Sequence, residues 1–208
     1  MTIATIDAVP PELVRAQRGD GPASTRTIVA YGFWIFILSD IIMFSALFAA
    51  YAVLSGRTAG GPTAHEVINL NHVFIETMCL LVSSYTCGLG ALSAERRQRE
   101  RYLVFAAFTF VLGAAFLFIE ISDFVGMVRV GAEPSRSAFL SAFFTLVGMH
   151  GAHVTSGLLW LAYMVAQVVA KGLSPHVLRR LLCFSLFWHA LDIIWVGVIT
   201  AVYLMGAR

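Results

Sequence analysis

Eight titratable side chains sit inside apolar stretches of this chain: Asp40, Glu76, Glu120, Asp123, His150, His153, His189 and Asp192. The densest group is in Ser185-Leu186-Phe187-Trp188-His189-Ala190-Leu191-Asp192-Ile193-Ile194-Trp195. His189 and Asp192 are three residues apart and share a helix face. Trp188, Asp192 and Trp195 follow an i, i+4, i+7 pattern along one side. A charged group at the centre of a membrane helix costs about 2.5–3.5 kcal/mol on insertion scales, so something must offset it. Four kinds of chemistry suit such residues. The first is a hydrogen-bonded cluster that fixes helix packing. The second is a proton or ion path. The third is a metal or haem site: His150 and His153 are one turn apart, a spacing that serves zinc or copper, and His153 with His189 offers haem ligands from two helices. The fourth is a cleft lined with polar groups that holds lipid.

None of the apolar stretches has an interior Lys or Arg. The carboxyls therefore have no cationic partner in this chain except a protonated His. Desolvation favours their neutral form, or they hydrogen-bond to a neighbouring helix, or they face water, headgroups or another subunit. Cys79, Cys87 and Cys183 lie in apolar runs and read as packing residues. No Cys-x-x-Cys or Cys/His run points to a metal site.

The elements that position these residues are membrane helices. Of 208 residues, 59% are hydrophobic and 12% charged, about half the charged share of an ordinary soluble domain. The mean hydropathy is +0.81. The expected fold class is all-α: a polytopic bundle of five transmembrane helices over about 29–54, 71–94, 102–128, 137–170 and 181–205. Each run meets the roughly 20 residues a bilayer crossing needs, and helices satisfy their own backbone in lipid. No alternating strands suggest a barrel. The organisation is a polar cytoplasmic tail over 1–27 and a transmembrane domain over 28–208. The tail, with Pro10-Pro11 and Asp7, Glu12 and Asp20, does not read as a cleaved signal peptide.

Lys and Arg set the orientation. Arg15, Arg18, Arg26, Arg96, Arg97, Arg99, Arg101, Lys171, Arg179 and Arg180 fall on one side, and Arg57, Arg129, Arg136 and Arg208 on the other. The count of ten against four puts the N-terminus in the cytoplasm and the C-terminus in the periplasm. On that layout Asp40, His150, His153, His189 and Asp192 lie near mid-membrane, and Glu76, Glu120 and Asp123 toward the outer side. The first loop, with Gly60-Gly61-Pro62, is a turn, because it lacks the Gly-Lys-Ser/Thr ending of a phosphate loop. No loop or tail is long enough for a soluble redox or nucleotide-binding domain. The net charge of +2 argues against nucleic acid. Gly113-Ala114-Ala115 and Gly148, Gly151 and Ala152 mark close helix contacts.

Two of these segments resemble a known family. Gly148-Met149-His150-Gly151-Ala152-His153-Val154 and Trp188-His189-Ala190-Leu191-Asp192-Ile193-Ile194-Trp195 look like the signatures of subunit III of the haem-copper terminal oxidases. Phe33-Trp34-Ile35-Phe36-Ile37-Leu38-Ser39-Asp40 resembles that family's carboxyl-bearing helix, with Asp40 where Glu is frequent. The likeness spans about 28–206. Phe74-Ile75-Glu76-Thr77 and Val202-Tyr203-Leu204-Met205-Gly206 are most similar to the cytochrome o ubiquinol oxidase branch. The alternatives are a menaquinol or cytochrome c oxidase subunit III and, from another class, a stand-alone proton or ion transporter.

The resemblance implies a non-catalytic subunit of a proton-pumping bacterial complex in the inner membrane. Haem and copper would belong to subunit I, and ubiquinol would be the substrate of the complex. Partners would be subunits I and II, a small subunit IV, and phospholipid. Catalytic, cofactor and metal residues would be absent from this chain. Asp40, Glu76, Glu120, His150, His153, His189 and Asp192 would form a structural or lipid-facing polar cluster, and the subunit as a whole would support assembly, lipid binding and sustained proton uptake by subunit I.

Overall fold

A computed structural model describes residues 25–60 and 70–204. The expected turn at Gly61-Pro62, the basic residues Arg15, Arg18 and Arg208, and the ending Met205-Gly206 lie outside the described residues. Five helices are long and apolar enough to cross a membrane. They are α1 (Thr25–Leu54), α2 (Leu70–Glu95), α3 (Arg99–Arg129), α4 (Ala138–Lys171) and α5 (Pro175–Val198). The last runs straight into a π-helical stretch, Ile199–Leu204. No strand occurs among the described residues. The five expected spans are these five helices.

Local sequence sets the ends. Ser137 accepts from the Leu140 N–H at 3.1 Å and caps α4. Ser174 does the same for α5 through Val177 N–H at 3.4 Å, with Pro175 opening the helix. α5 thus starts six residues before its apolar run, because cap chemistry rather than hydropathy sets its first turn. α3 ends with Ala132 N–H on the Met127 carbonyl and Gly131 N–H on that of Val128. Gly131 takes φ 79° there, the left-handed step such a cap requires. α2 ends the same way around Arg97, a non-glycine at φ 59°.

Helix packing follows from which stripe each helix buries. α2 and α3 are close antiparallel neighbours, joined by a 2.8 Å hydrogen bond between the Thr86 and Thr109 hydroxyls. α4 packs against α3, α1 and α5, and α5 touches α1, α2 and α4. α1 buries only Ile37, Phe44 and Tyr51, one residue per seven. Its other faces, with Tyr31, Ile35 and Ile42, point away from the bundle. In a membrane such surface meets lipid or another subunit rather than water.

Candidate functional site

α5 is the element the polar groups are built around. Trp188 is 1% exposed. Its indole fits between two glycines on different helices. A Cβ on Gly157 of α4 would stand 2.8 Å from its ring, and one on Gly113 of α3 would stand 3.0 Å away. Those contacts leave no room for a side chain at either position. The indole Nε1–H donates to Ser83 Oγ on α2 at 3.1 Å. Two turns on, Trp195 Nε1–H donates to Thr77 Oγ1 at 3.4 Å, and its ring meets Phe116 edge-on at 4.7 Å. Each indole thus has a partner for its one polar atom, the usual condition for burying tryptophan.

The two histidines of α4 are held differently. His150 is fully buried. Its Nε2–H donates to the Leu191 carbonyl of α5 at 3.2 Å, and its ring lies 5.0 Å from Trp195 and 5.6 Å from Phe116. His153 donates Nδ1–H to the Met149 carbonyl of its own helix at 2.8 Å and packs on Phe44 of α1 at 5.3 Å. Each spends one ring nitrogen on a carbonyl and packs on aromatic rings, while His150 Nδ1 is buried with no hydrogen-bond partner among the described residues. His189 lies on the outward side of α5, against Gly88 of α2. His153 instead neighbours Phe187, two residues back and so on a different face of α5. The histidine pair therefore does not flank one space, and rings fill the surroundings of His150. These residues do not fit a haem. Among the described residues no three His, Cys, Asp or Glu side chains converge as metal ligands.

Asp192 is half-buried beside Ser84 of α2, and its Oδ1 has no hydrogen-bond partner among the described residues. With His189 it forms a polar strip on the outer side of the α2–α5 seam. Asp40 is half-buried on α1, between the buried Ile37 and Phe44. Glu76 and Glu120 lie beside the histidine turn of α4, on its α3-facing side. They are 2% and 4% exposed and lie toward the end of the bundle where α2 begins and α3 ends. The Glu120 carboxyl rests on α4 at Gly151, 2.8 Å from where a Cβ would stand. Asp123 pairs with His72, Nδ1 to Oδ1 at 2.8 Å. Apart from Asp40, which stands alone on α1, the sequence candidates fall in three places: the indole–histidine core, the outward strip and the carboxyl end.

Ser83, Thr77, Gly157 and His72 were not among the sequence candidates. A signal for Ser83 exists: Glu76, Leu80, Ser83, Cys87 and Gly90 recur every three or four residues as the buried stripe of α2. His72 had none, since its partner is 51 residues away.

At the opposite end the arginines hold the helices together. Arg99 donates to the Val169 carbonyl in the last turn of α4 at 3.0 Å, and Arg97 donates to the Leu173 carbonyl. Arg26 pairs with Glu95. A cation at the carbonyl end of a helix satisfies orphan acceptors and opposes the dipole. An open hollow of about 470 Å³ lies here, lined by Arg26, Glu95, Arg97, Arg179, Leu178 and Leu182 among others.

This arrangement of helices and motifs has counterparts. The family described as cytochrome c oxidase subunit III matches residues 15–207. The chain belongs to the cytochrome c oxidase subunit III family. That family is a non-catalytic membrane subunit of haem-copper oxidases, which accords with a core whose histidines and tryptophans are tied to each other. Among similar proteins, subunit 3 of the cytochrome bo(3) ubiquinol oxidase of Pseudomonas aeruginosa is 50% identical over 177 residues, 85% of each chain. Quinol oxidase subunit 3 of Bacillus subtilis is 43% identical over 184 residues, 88% of this chain and 90% of its own. Cytochrome c oxidase subunit 3 of Bacillus sp. (strain PS3) is 39% identical over 175 residues, 84% of each. As a subunit III, the chain associates with other oxidase subunits in a membrane.

Proposed function

We propose that this chain is the accessory subunit III of a proton-pumping bacterial ubiquinol oxidase in the inner membrane. The complex oxidises ubiquinol, reduces oxygen to water and moves protons outward. Haem and copper reside in subunit I, and this chain docks on subunit I beside subunits II and IV. The observation that carries the ubiquinol branch is the 50% identity to a ubiquinol oxidase subunit against 39% to a cytochrome c oxidase subunit. The accessory role is supported by a core in which Trp188 and Trp195 spend their indole N–H groups, and His150 its Nε2, on helix-to-helix hydrogen bonds.

The N-terminus and the arginine-lined end lie in the cytoplasm, and the C-terminus in the periplasm. Residues 28–208 form the membrane domain. The hollow between Arg26, Arg97 and Arg179 takes an anionic phospholipid headgroup, its acyl chains running along Leu178 and Leu182. Asp40, His189 and Asp192 face lipid or a neighbouring subunit, while Glu76, Glu120, His150 and His153 lie in the bundle interior.

Deletion of this chain from its host tests the reading. Membranes should then lose most ubiquinol:oxygen turnover while cytochrome c oxidation stays unchanged, and plasmid-borne chain should restore it. Loss of cytochrome c oxidation with ubiquinol turnover intact would assign the other branch.

A further inference from the structure

At the end of the bundle away from the arginines, four titratable side chains are shared between α2 and α3. His72 and Glu76 are one turn apart on α2, and Glu120 and Asp123 one turn apart on α3. The His72–Asp123 contact is the outermost, with side chains 46% and 24% exposed. Glu76 and Glu120 lie inside it and are all but sealed.

The inner pair lacks partners. Glu76 Oε1 and both carboxyl oxygens of Glu120 receive no hydrogen bond among the described residues. The elements packed here offer the pair no buried cation among the described residues. α1 offers Tyr51, 3% exposed, whose hydroxyl is also without a partner. α2 adds Cys79. α4 presents Phe139, Phe143 and the Gly151 backbone, with the fully buried His150 next in the chain, its Nδ1 also without a partner. The π-helical stretch after α5 brings in Tyr203, 5% exposed, within electrostatic reach of Glu76, Glu120, Asp123 and Tyr51. π-helical insertions of this kind concentrate at functional sites. Among the described residues the basic side chains at this end, Arg57, Arg129 and Arg136, are all exposed, and none is buried with the pair.

Two sealed carboxylates without a cation would carry a desolvation penalty far larger than any single packing contact returns. A carboxylic acid avoids it, and gains a donor that can serve a neighbouring carboxyl oxygen. The Tyr51 hydroxyl, nine-tenths and more buried and unspent, supplies a further donor. The ligand these groups call for is the proton itself.

We propose that Glu76 and Glu120 form an internal proton-binding site, loaded from the rim through His72 and Asp123. Each step moves one proton between lone pairs: from rim water to the His72 imidazole, across the 2.8 Å contact to Asp123, and inward to the glutamates. No electron moves and no other bond changes. This goes beyond the accessory role and holds whichever electron donor the complex uses.

Infrared difference spectroscopy on the whole purified oxidase tests it. The wild-type minus E120Q spectrum should contain the carbonyl stretch of a protonated carboxyl, and that band should move when the complex enters heavy water. In D123N, which keeps both buried acids, the exchange should slow severalfold. If E120Q does not assemble, the conservative E120D variant replaces it, and its carbonyl band should shift in position. No carboxylic carbonyl difference between wild type and either Glu120 variant would overturn the site. Equal exchange rates in wild type, D123N and H72A would overturn the route.

Discussion

Trp188 concentrates the constraints on this bundle at one residue. Its ring is enclosed by glycines on α3 and α4, and its N–H is spent on Ser83 of α2. Gly157→Val should therefore force the indole out of place and destabilise the protein by about 1–3 kcal/mol, the usual cost of overpacking. Gly126→Ala should be close to neutral, since nothing lies within 4 Å of the added methyl. Thermal unfolding of the detergent-solubilised protein reads both. Ser83→Ala should cost about 0.5–1.5 kcal/mol through the lost indole bond, with haem spectra of the complex unchanged. At this scale the sequence was only partly legible. Histidines and tryptophans announce themselves in apolar runs, and Gly113 and Gly151 were visible as small residues. Ser83 and Gly157 acquire meaning only once α5 is laid against α2 and α4, and no local pattern states that pairing.

At the scale of elements, the α2–α3 loop clamps the far end of α4. Arg97 holds a left-handed conformation with φ 59° while its guanidinium reaches Leu173. That conformation disfavours any residue with a Cβ by roughly 1–2 kcal/mol. Arg97→Ala should lose the contact and keep the strain, whereas Arg97→Gly loses the contact and relieves the strain. The glycine variant should be the more stable by on the order of 1 kcal/mol in the same unfolding assay. A reversed order would mean that position 97 is not held in the left-handed conformation. The run of arginines was legible as a charge signal for orientation. Its second use, as donors to carbonyls in the last turn of α4 and just beyond it, was not, because the acceptors are about seventy residues away in sequence. The five helices were legible from composition, since length and hydropathy leave a membrane segment few options. The π-helical end of α5 was not, because Ile199–Leu204 is as apolar as the helix it continues.

The whole molecule is a loosely sealed bundle with much apolar surface turned outward, including most of α1 and the Ile193–Val196 side of α5. Among the described residues, the intramembrane candidates other than Asp40 are sorted into a packed core, an outward strip and a carboxyl end, and no three His, Cys, Asp or Glu side chains converge as metal ligands. That sorting was not readable from sequence order, in which His150, His153, His189 and Asp192 seemed to share one place. The account therefore centres on a subunit that supports chemistry carried out by its neighbours. Its most direct test is capture by a tag on this chain from native membranes in mild detergent. The account predicts a complex with haem, copper and ubiquinol:oxygen oxidoreductase activity, from which this polypeptide, once separated, emerges colourless. Recovery of the chain alone, or with haem bound stoichiometrically to it, would contradict the account.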